Sequence, residues 1–339
     1  MKKIIIYCFL LLCLLAGIAS YMVLGSGTNF SEVSKTILIE EDNTNKEGLI
    51  KLLKEKDIIS NAFVFEQLGN QLKIWDRFKS GKYKINKGES PLDIARIFRN
   101  NKQAEVNLVI NKIRTVNDLA RLIGKNFSTD SATALSVLTN PATLATINAD
   151  SNSLMFNIIP NTYNFYWSTP VEKMLEKLAV ESKKFWDNND RTNKAANLGL
   201  TPYQVYTIAS IVEEETNNDA EKGNIASVYI NRMNKGMNLA ADPTVKFALK
   251  DFAIKRVLHE HLNVQSPYNT YKVKGLPPGA ICTPSKKTID AVLAATRTDY
   301  LFFCADASFN GTHHFSSNFA EHEQYAKAYH RAQDQRKIK

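Results

Sequence analysis

Three consecutive glutamates, Glu213, Glu214 and Glu215, end a largely apolar run in the segment 207-TIASIVEEETNND-219. Carboxyl side chains donate and accept protons, so such a cluster is a candidate for acid–base catalysis. Neighbouring residues of a helix point in directions about 100° apart, so these three cannot all face the same way. The first question is therefore which of them, if any, is placed for chemistry.

The first residues of the helix that carries these glutamates set its register. Thr201 fits the N-cap, Pro202 fits the first helical position, and Gln204 completes a capping box. Apolar residues at helical spacing then define one buried stripe: Val205, Ile208, Ile211 and Val212. Glu215 follows Val212 by three residues and Ile211 by four, so it continues the stripe.

A carboxyl group on a buried stripe loses hydration, which raises its pKa and keeps it protonated near neutral pH. Such a group suits the general acid that protonates a glycosidic oxygen. The alternative is that Glu215 lies in a frayed last turn and is simply solvated. Periodicity alone leaves both interpretations open. Glu213 and Glu214 fall on more polar sides of the helix, as neighbours that could tune the charge of Glu215.

Downstream residues offer candidates for a cleft around the acid. Asn231 lies in a helix that is predicted to end at Gly236, a typical C-cap residue. Asp242 precedes Pro243 and is predicted to be the N-cap of the next helix, so a capping role and an orienting role both stay open.

An alternating segment, Asn269, Thr270 and Tyr271, is predicted to be a strand before the rigid turn 275-GLPPG-279. Its side chains could bind a polar ligand, or could satisfy backbone groups near the turn. In the aromatic segment 156-FNIIPNTYNFYW-167, Tyr163 is a candidate for stacking on a sugar, with core packing as the alternative.

The run 208-IASIVEEET-216, followed by 225-IASVYINRMNKGMNLAADPTV-245 and 266-SPYNTYKVKGLPPGAICTP-284, resembles the MltG (YceG-like) family of endolytic murein transglycosylases. The three motifs occur in the family's order. In that family the catalytic acid/base is the second glutamate of an E-x-E-T element, and this position falls on Glu215, followed by Thr216. The helical periodicity independently selects the same residue.

The resemblance implies cleavage of the β-1,4 bond between N-acetylmuramic acid and N-acetylglucosamine without water. Glu215 would protonate the leaving oxygen and then activate the muramyl C6 hydroxyl, which closes a 1,6-anhydro ring and ends elongation of a nascent strand. One carboxyl group suffices because the nucleophile is part of the substrate. A non-catalytic peptidoglycan-binding scaffold and a water-using muramidase are the alternatives.

Around the acid we expect substrate contacts from Asn231, Asp242, Asn269, Thr270, Tyr271 and Tyr163. Thr216 and His314 are expected to position the residues that contact substrate. His314 lies in an H-x-F element like that of the family. The family usually has a glutamate–glycine pair where this chain has 110-INKIRT-115, so the contacts of that segment are not carried over. The histidines lack H-E-x-x-H spacing, and we predict neither a metal nor a cofactor.

An uncharged apolar run, residues 4–25, follows Lys2 and Lys3. It is long enough to cross a bilayer, and the positive flank predicts residues 1–3 in the cytoplasm, one pass through the inner membrane, and an extracytoplasmic or periplasmic remainder. A cleaved signal peptide is the alternative, with a passable cleavage site at 17-GIA-19. The run continues to Leu24, which favours the uncleaved anchor.

The predicted fold class is α+β. Residues 26–104 are interpreted as a linker and a LysM-like module. The segment 82-KYKINKGES-90 is predicted to form a strand and a turn, with Ser90 as the N-cap of a helix that starts at Pro91. This strand-turn-helix resembles the glycan-binding LysM fold, and a plain βα unit is the alternative. Residues 105–339 form the predicted mixed α+β catalytic region, with a core over about 198–335. This region begins with an alternating segment, Glu105 to Ile110, which is predicted to be a strand.

The net charge of +9 could favour an anionic partner. No zinc-finger spacing, glycine-rich phosphate loop or RNA-binding motif accompanies it, so we predict no nucleic-acid partner. The expected partners are peptidoglycan glycan strands and the membrane, with peptidoglycan synthases (penicillin-binding proteins) as candidates. Outside the apolar run the chain has Cys282 and Cys304, which we expect to be unpaired buried thiols.

Overall fold

The computed structural model describes residues 2–336, and these form two compact units. The first unit comprises the residues up to 107 with 126–128 and 164–169. The second comprises 108–125, 129–163 and the described residues from 170 onward. Helices and small sheets occur together, so the α+β prediction is confirmed.

The first unit is built on a two-stranded sheet and short helices. Its elements are α1 (Lys2–Leu24), β1 (Ser34–Ile39), α2 (Lys46–Glu55), α3 (Ala62–Leu72), β2 (Gly81–Asn86) and α4 (Pro91–Arg99), with a 3-10 turn at Glu41–Asn43. Strands β1 and β2 are antiparallel, from Ser34 opposite Asn86 to Ile39 opposite Gly81. The predicted strand-turn-helix is confirmed, and Ser90 caps α4 by accepting the amide of Asp93 at 3.1 Å.

Helix α1 contains the predicted apolar run. It is 23 residues long with a mean hydropathy of 2.5 over its most apolar window, and none of that window is buried within the protein. A helix of this length spans the hydrocarbon core of a bilayer. Helix α1 is therefore compatible with a membrane anchor.

A second small sheet joins β3 (Glu105–Ile110) to β4 (Asn161–Tyr166). The predicted strand at 105–110 is confirmed. The aromatic segment supplies β4, in which Tyr163 and Phe165 alternate inward with 3% and 6% of their surface exposed. Alternation of buried and exposed side chains is what a half-buried strand requires.

The second unit is mainly helical. Its helices are α5 (Val116–Asn126), α6 (Ser131–Thr139), α7 (Pro141–Ala145), α8 (Val171–Asp187), α9 (Arg191–Asn197), α10 (Pro202–Glu215), α11 (Lys222–Asn234), α12 (Asp242–Leu249), α13 (Lys286–Leu293) and α14 (Phe319–Gln335). Short 3-10 turns occur at Leu154–Asn157, Asn188–Asp190 and His261–Asn263. The antiparallel hairpin of β5 (Phe302–Ala305) and β6 (His313–Ser316) completes it.

Helix α10 is the central helix of this unit. Thr201 and Gln204 form the predicted capping box, and the helix packs against α11, α12 and α13. Its apolar side chains that are fully shielded from solvent are Val205, Tyr206, Ile208, Ala209, Ile211 and Val212, and the polar Thr207 and Ser210 are buried as well. Neighbouring helices enclose α10 on several sides, so its buried surface is wider than the single stripe predicted from sequence.

Two local predictions are wrong. Residues 269–271 form turns and not a strand, because the carbonyl of Asn269 accepts the amides of both Lys272 and Val273 instead of pairing with a neighbouring strand. Asp242 is the first residue of α12 and makes no cap, whereas Ala241 occupies the N-cap position. The carboxylate of Asp242 is bound elsewhere. Cys282 and Cys304 are free, as predicted, although Cys304 is only partly buried.

Candidate active site

Glu215 is the last residue of α10, and Thr216 leaves the helix in an extended conformation with φ −145° and ψ 143°. The four stripe residues that precede it have no exposed surface. Glu215 thus stands at the end of the buried stripe, in the last turn. Both sequence-based interpretations described part of this arrangement, and the surroundings of the carboxyl group decide between them.

Those surroundings raise the pKa of Glu215 from its ordinary 4.5 to about 7. Burial of the carboxyl group is the largest cause, although the residue as a whole keeps some exposed surface. A hydrogen bond from Tyr229 lowers the pKa, the negative charge of Asp242 raises it, and the positive charges of Lys246 and Arg232 lower it. Glu215 is therefore partly protonated near neutral pH, as a general acid that also acts as a base requires.

Tyr229, on α11, makes the direct contact with this carboxyl group. Its hydroxyl donates a hydrogen bond to Oε1 of Glu215 at 2.6 Å. Only 1% of the residue is exposed, and burial raises the pKa of the phenol well above its ordinary value, so it stays a donor. Tyr229 was not predicted as a site residue. The available signal was a tyrosine among the apolar residues of a helix, since a buried phenol needs a hydrogen-bond partner.

Asp242 and Tyr271 form a second hydrogen-bonded pair beside the acid. The Tyr271 hydroxyl donates to Oδ1 of Asp242 at 2.6 Å. Burial first, and then this hydrogen bond, raise the pKa of Tyr271. The charges of Asp242 and Glu215 act on each other, so the predicted orienting role of Asp242 has a geometric basis that the capping role lacks.

Arg232 brings a fixed positive charge to the same region. Its Nε donates to the carbonyl of Leu301 and its Nη1 to the carbonyl of Leu239, both at 2.6 Å. Burial lowers its pKa, while nearby Tyr229, Tyr271 and Glu215 favour the charged form. Since an arginine stays protonated at any relevant pH, it supplies a constant charge that favours the ionised form of Glu215.

Glu213 has its own cation. Its Oε2 lies 3.6 Å from Nζ of Lys222, whose side chain is only 7% exposed, and it accepts hydrogen bonds from the hydroxyls of Ser285 and Thr288. Lys222 is further paired with Asp219 at 2.8 Å. These contacts tie α10 to α11 and α13, so Glu213 holds helices together.

Glu214 faces yet another direction. Arg114 binds it with two hydrogen bonds, Nε to Oε1 at 3.1 Å and Nη2 to Oε2 at 2.9 Å, and Nζ of Lys112 lies 3.2 Å from Oε1. Burial of Glu214 raises its pKa, but the hydrogen bonds and positive charges of Arg114 and Lys112 outweigh burial and hold the pKa below its ordinary value. The three glutamates therefore have three separate sets of partners, and the pKa of Glu215 is raised whereas that of Glu214 is lowered.

Four of the expected sugar contacts are engaged inside the protein. Asn231 donates to the carbonyls of Thr298 and Tyr300, each at 2.9 Å. Asn269, which has no exposed surface, donates to the carbonyls of two residues upstream in its loop. The other two are Thr270, whose hydroxyl is buried against Thr244, and Tyr163, whose hydroxyl donates to the carbonyl of Ile159. These placements fit structural roles rather than the contacts with sugar that we expected.

Of the two residues expected to support the cleft, Thr216 lies next to the acid and His314 does not contact it. Thr216 is 7% exposed and its hydroxyl accepts the amide of Asn218 at 3.0 Å, which fixes the chain just after the acid. His314 lies 2.6 Å from Asp306 and stacks on Tyr325, with no contact to Glu215 or Tyr229 among those the structure describes.

His313, which was not predicted for any role, is largely buried, with 14% of its side chain exposed. Its Nδ1 is 3.0 Å from Glu221, and its ring contacts Phe303, which in turn packs edge-on against Tyr229 at 5.9 Å. Within residues 2–336 no three His, Cys, Asp or Glu side chains gather in a way that could hold a metal ion.

A cleft of about 1000 Å³ opens beside Glu214. Segment 110-INKIRT-115, which departs from the family pattern, forms part of its wall together with α5. The other side is formed by Phe247 and Lys250 at the end of α12 and by the loop residues Phe252 and Tyr268. Glu215 itself does not line this cleft, and its neighbour in sequence holds two of the basic side chains that do.

Comparison with known proteins agrees with this arrangement of motifs. The model of the YceG-like family matches residues 37–328. The chain belongs to the YceG-like family. The match includes most of both units and all of the residues that surround Glu215.

Curated relatives of this YceG-like chain carry one functional name. A Bacillus subtilis (strain 168) protein named endolytic murein transglycosylase is 34% identical over 176 residues, which are 51% of this chain and 47% of that protein. A protein of the same name from Streptococcus pneumoniae serotype 2 is 31% identical over 170 residues, 49% of this chain and 30% of that protein. The matches thus span less than half the length of these relatives.

A solved structure shares the fold. The crystal structure of a yceG-like protein from Listeria monocytogenes superimposes with a TM-score of 0.58 and 24% identity, and the match covers 87% of this chain and 99% of that one. At this identity the likeness supports the fold alone. The YceG-like architecture described above is therefore shared with a protein that has been crystallised.

Proposed function

We propose that this YceG-like protein is an endolytic murein transglycosylase that cleaves the β-1,4 bond between N-acetylmuramic acid and N-acetylglucosamine in glycan strands. The observation that carries the proposal is the carboxyl group of Glu215, with a pKa of about 7 and a hydrogen bond from the buried Tyr229. A carboxyl group poised at neutral pH can give a proton and take one back in the same reaction. The name of the Bacillus and Streptococcus relatives supports the same activity.

In the first step, protonated Glu215 gives its proton to the glycosidic oxygen as the bond from that oxygen to muramyl C1 breaks. In the second step, the Glu215 carboxylate accepts the proton of the muramyl C6 hydroxyl while this oxygen bonds to C1. The products are a 1,6-anhydromuramyl end and a free hydroxyl on the leaving sugar, and Glu215 is protonated again. No water is consumed, because the nucleophile belongs to the substrate.

The charges around the acid suit both steps. Tyr229 and Arg232 favour the carboxylate that forms after proton transfer, whereas burial and Asp242 favour the acid that starts the reaction. Opposed effects of this kind keep the pKa near the working pH, which is where one group serves best in both roles. We assign to Asp242 and Tyr271 the orientation of the muramyl residue, since their hydrogen-bonded pair lies beside the acid.

The first unit and α1 fit an enzyme that works at a membrane. We propose that α1 anchors the chain in the cytoplasmic membrane with the rest outside, and that the β2–α4 unit is a LysM-like module that binds glycan. An anchored enzyme would reach only strands close to the membrane and would so end their elongation. Peptidoglycan synthases, which make those strands, are the proposed protein partners.

Product analysis tests the activity. The full chain, in detergent, is incubated with purified peptidoglycan, and the masses of the released fragments are determined by mass spectrometry. Anhydromuramyl ends are expected, and they must be absent with Glu215→Gln. Reducing muramyl ends would instead establish a muramidase that uses water, and intact glycan would leave a binding scaffold; either result would replace the proposal.

A further inference from the structure

The cleft beside Glu214 is strongly basic. Five of its lining side chains are cationic, and they are Lys112, Arg114, Arg121, Lys125 and Lys250. Two carboxylates pair with them: Glu214 with Lys112 and Arg114, and Asp118 with Arg121. The cleft therefore keeps an excess of positive charge, and low-dielectric walls concentrate such a field on a ligand.

The cations differ in how firmly they are held. Arg114 is fixed by its two hydrogen bonds to Glu214, and its guanidinium lies 4.9 Å from the centre of the Phe252 ring. Arg121 has 71% of its side chain exposed and pairs with Asp118 at the surface. Such an exposed ion pair contributes little to stability, so Arg121 is free to reorient toward a ligand. Arg121 and Lys125 lie four residues apart on α5, so both can turn toward the same ligand.

The rest of the lining is neither purely apolar nor a phosphate-binding loop. It combines the rings of Phe252 and Tyr268 with the amide side chains of Asn111 and Asn152. Aromatic faces, amides and cations together suit a short peptide that carries carboxylates. A phosphate site would favour a ring of backbone amides at a glycine-rich turn, which the lining does not contain among the described residues.

Helices α10 and α12 each contribute one residue at the cleft and one residue at the proposed acid. Glu214, which binds Arg114 and Lys112 at the edge of the cleft, precedes Glu215 in α10. Phe247, which lines the cleft, follows Lys246 in α12, and Lys246 acts on the charge of Glu215. Residues that bind or line the cleft are therefore next in sequence to the proposed acid and to a lysine that acts on its charge.

We propose that this cleft binds the acidic peptide stem of a muramyl residue through the carboxylates of that peptide. The inference rests on the proposed function, because only a peptidoglycan substrate carries such a stem next to the sugar that is cleaved. The enzyme would then select glycan that still carries its peptides over glycan that has been stripped of them. Lys125 and Arg121 would contact the carboxylates. Arg114 and Lys112, which Glu214 holds in place, would add positive charge at the edge of the cleft.

The first test measures binding without catalysis. The Glu215→Gln chain is titrated by calorimetry with N-acetylmuramyl-L-alanyl-D-glutamate and with the matching isoglutamine amide, which differ by one carboxylate. The acid is expected to bind about tenfold more tightly at low salt, with the difference shrinking as salt screens it. Equal affinities would overturn the proposal. So would tighter binding of inorganic pyrophosphate than of the acid, since that would make the cleft a phosphate site.

The second test locates the contact. Arg121→Gln combined with Lys125→Gln should reduce the tenfold preference to about onefold. The matched control is Lys173→Gln combined with Lys183→Gln on α8, which removes the same charge from side chains that are 65% and 77% exposed. The control should keep the preference. A double α5 variant that folds normally and still prefers the acid tenfold would refute the assignment of the site.

These measurements separate the inference from the proposed function. If the acid binds as expected but peptidoglycan stays uncut, the cleft is a peptide site and the catalytic proposal fails. If peptidoglycan is cut to anhydro ends but the acid and amide bind equally, the catalytic proposal stands and the inference fails.

Discussion

The hydroxyl of Tyr229 and the carboxyl group of Glu215 are joined by a 2.6 Å hydrogen bond between two adjacent helices, α11 and α10. The bond reaches the last residue of a buried helix, where burial alone would hold the carboxyl group protonated. Tyr229 offsets part of that effect by stabilising the carboxylate. Asp242 acts in the opposite direction, so substitutions of the two residues should shift the same pKa in opposite ways.

Removal of the acid should remove the activity. Glu215→Gln keeps the size of the side chain but cannot transfer a proton, and we expect kcat to fall by about 10³-fold, within the range typical of general acid–base residues. Release of anhydromuropeptides from peptidoglycan measures it. The control is Glu176→Gln, a partly exposed residue of α8 that pairs with Lys173. Activity above a tenth of wild type in Glu215→Gln would move the acid elsewhere.

Loss of the Tyr229 hydroxyl should raise the pKa of Glu215. The hydrogen bond lowers this pKa, so Tyr229→Phe should move it upward from about 7. The first step needs protonated Glu215, so kcat/KM falls as pH rises through this pKa. In Tyr229→Phe the fall of kcat/KM should occur about one pH unit higher, because the carboxylate of Glu215 has lost a hydrogen bond that stabilises it. An unchanged pH profile would show that the bond does not form in solution.

Neutralisation of Asp242 should lower the pKa of Glu215. Asp242→Asn removes a negative charge that raises the pKa of Glu215, while the amide oxygen can still accept the Tyr271 hydroxyl. The fall of kcat/KM should therefore begin at lower pH than in the wild type. The informative comparison is Tyr271→Phe, which removes the hydroxyl but keeps the charge. A shift in both variants alike would point to lost orientation instead of lost charge.

The raised pKa should also cost stability. The folded protein binds the proton of Glu215 more tightly than an ordinary carboxyl group of pKa 4.5 does, so this group's contribution is fully present below that pH. It is lost as pH rises through about 7. Glu215→Gln should therefore be more stable than wild type at pH 8, by up to about 3 kcal/mol. At pH 4 the two proteins should differ little.

Urea denaturation at the two pH values measures this difference in the free energy of unfolding. Glu176→Gln should show no such dependence. If Glu215→Gln had the same stability relative to wild type at pH 4 and at pH 8, the carboxyl group would not be perturbed in the folded protein.

Sequence periodicity predicted the elements that depend on local signals. The capping box at Thr201, the strand at 105–110 and the cap of α4 at Ser90 were all recognised, because each rests on residues within a few positions of one another. Asn269 and Asp242 were misassigned for the same reason. The carbonyl of Asn269 is bound within a turn, although the sequence around it alternates as in a strand. The carboxylate of Asp242 is bound by Tyr271, 29 positions away, although the D-P-T sequence is typical of a helix start.

For the three glutamates, the sequence determined which one continues the apolar stripe, because side-chain direction follows from helix geometry alone. It did not determine that the carboxyl group in the last turn is shielded, nor that Tyr229 reaches it and that Lys222 and Arg114 engage the other two. Those contacts join residues that are 9 to 100 positions apart along the chain and that packing brings together. Local geometry therefore selected Glu215, and only the tertiary structure gave it a pKa suited to catalysis.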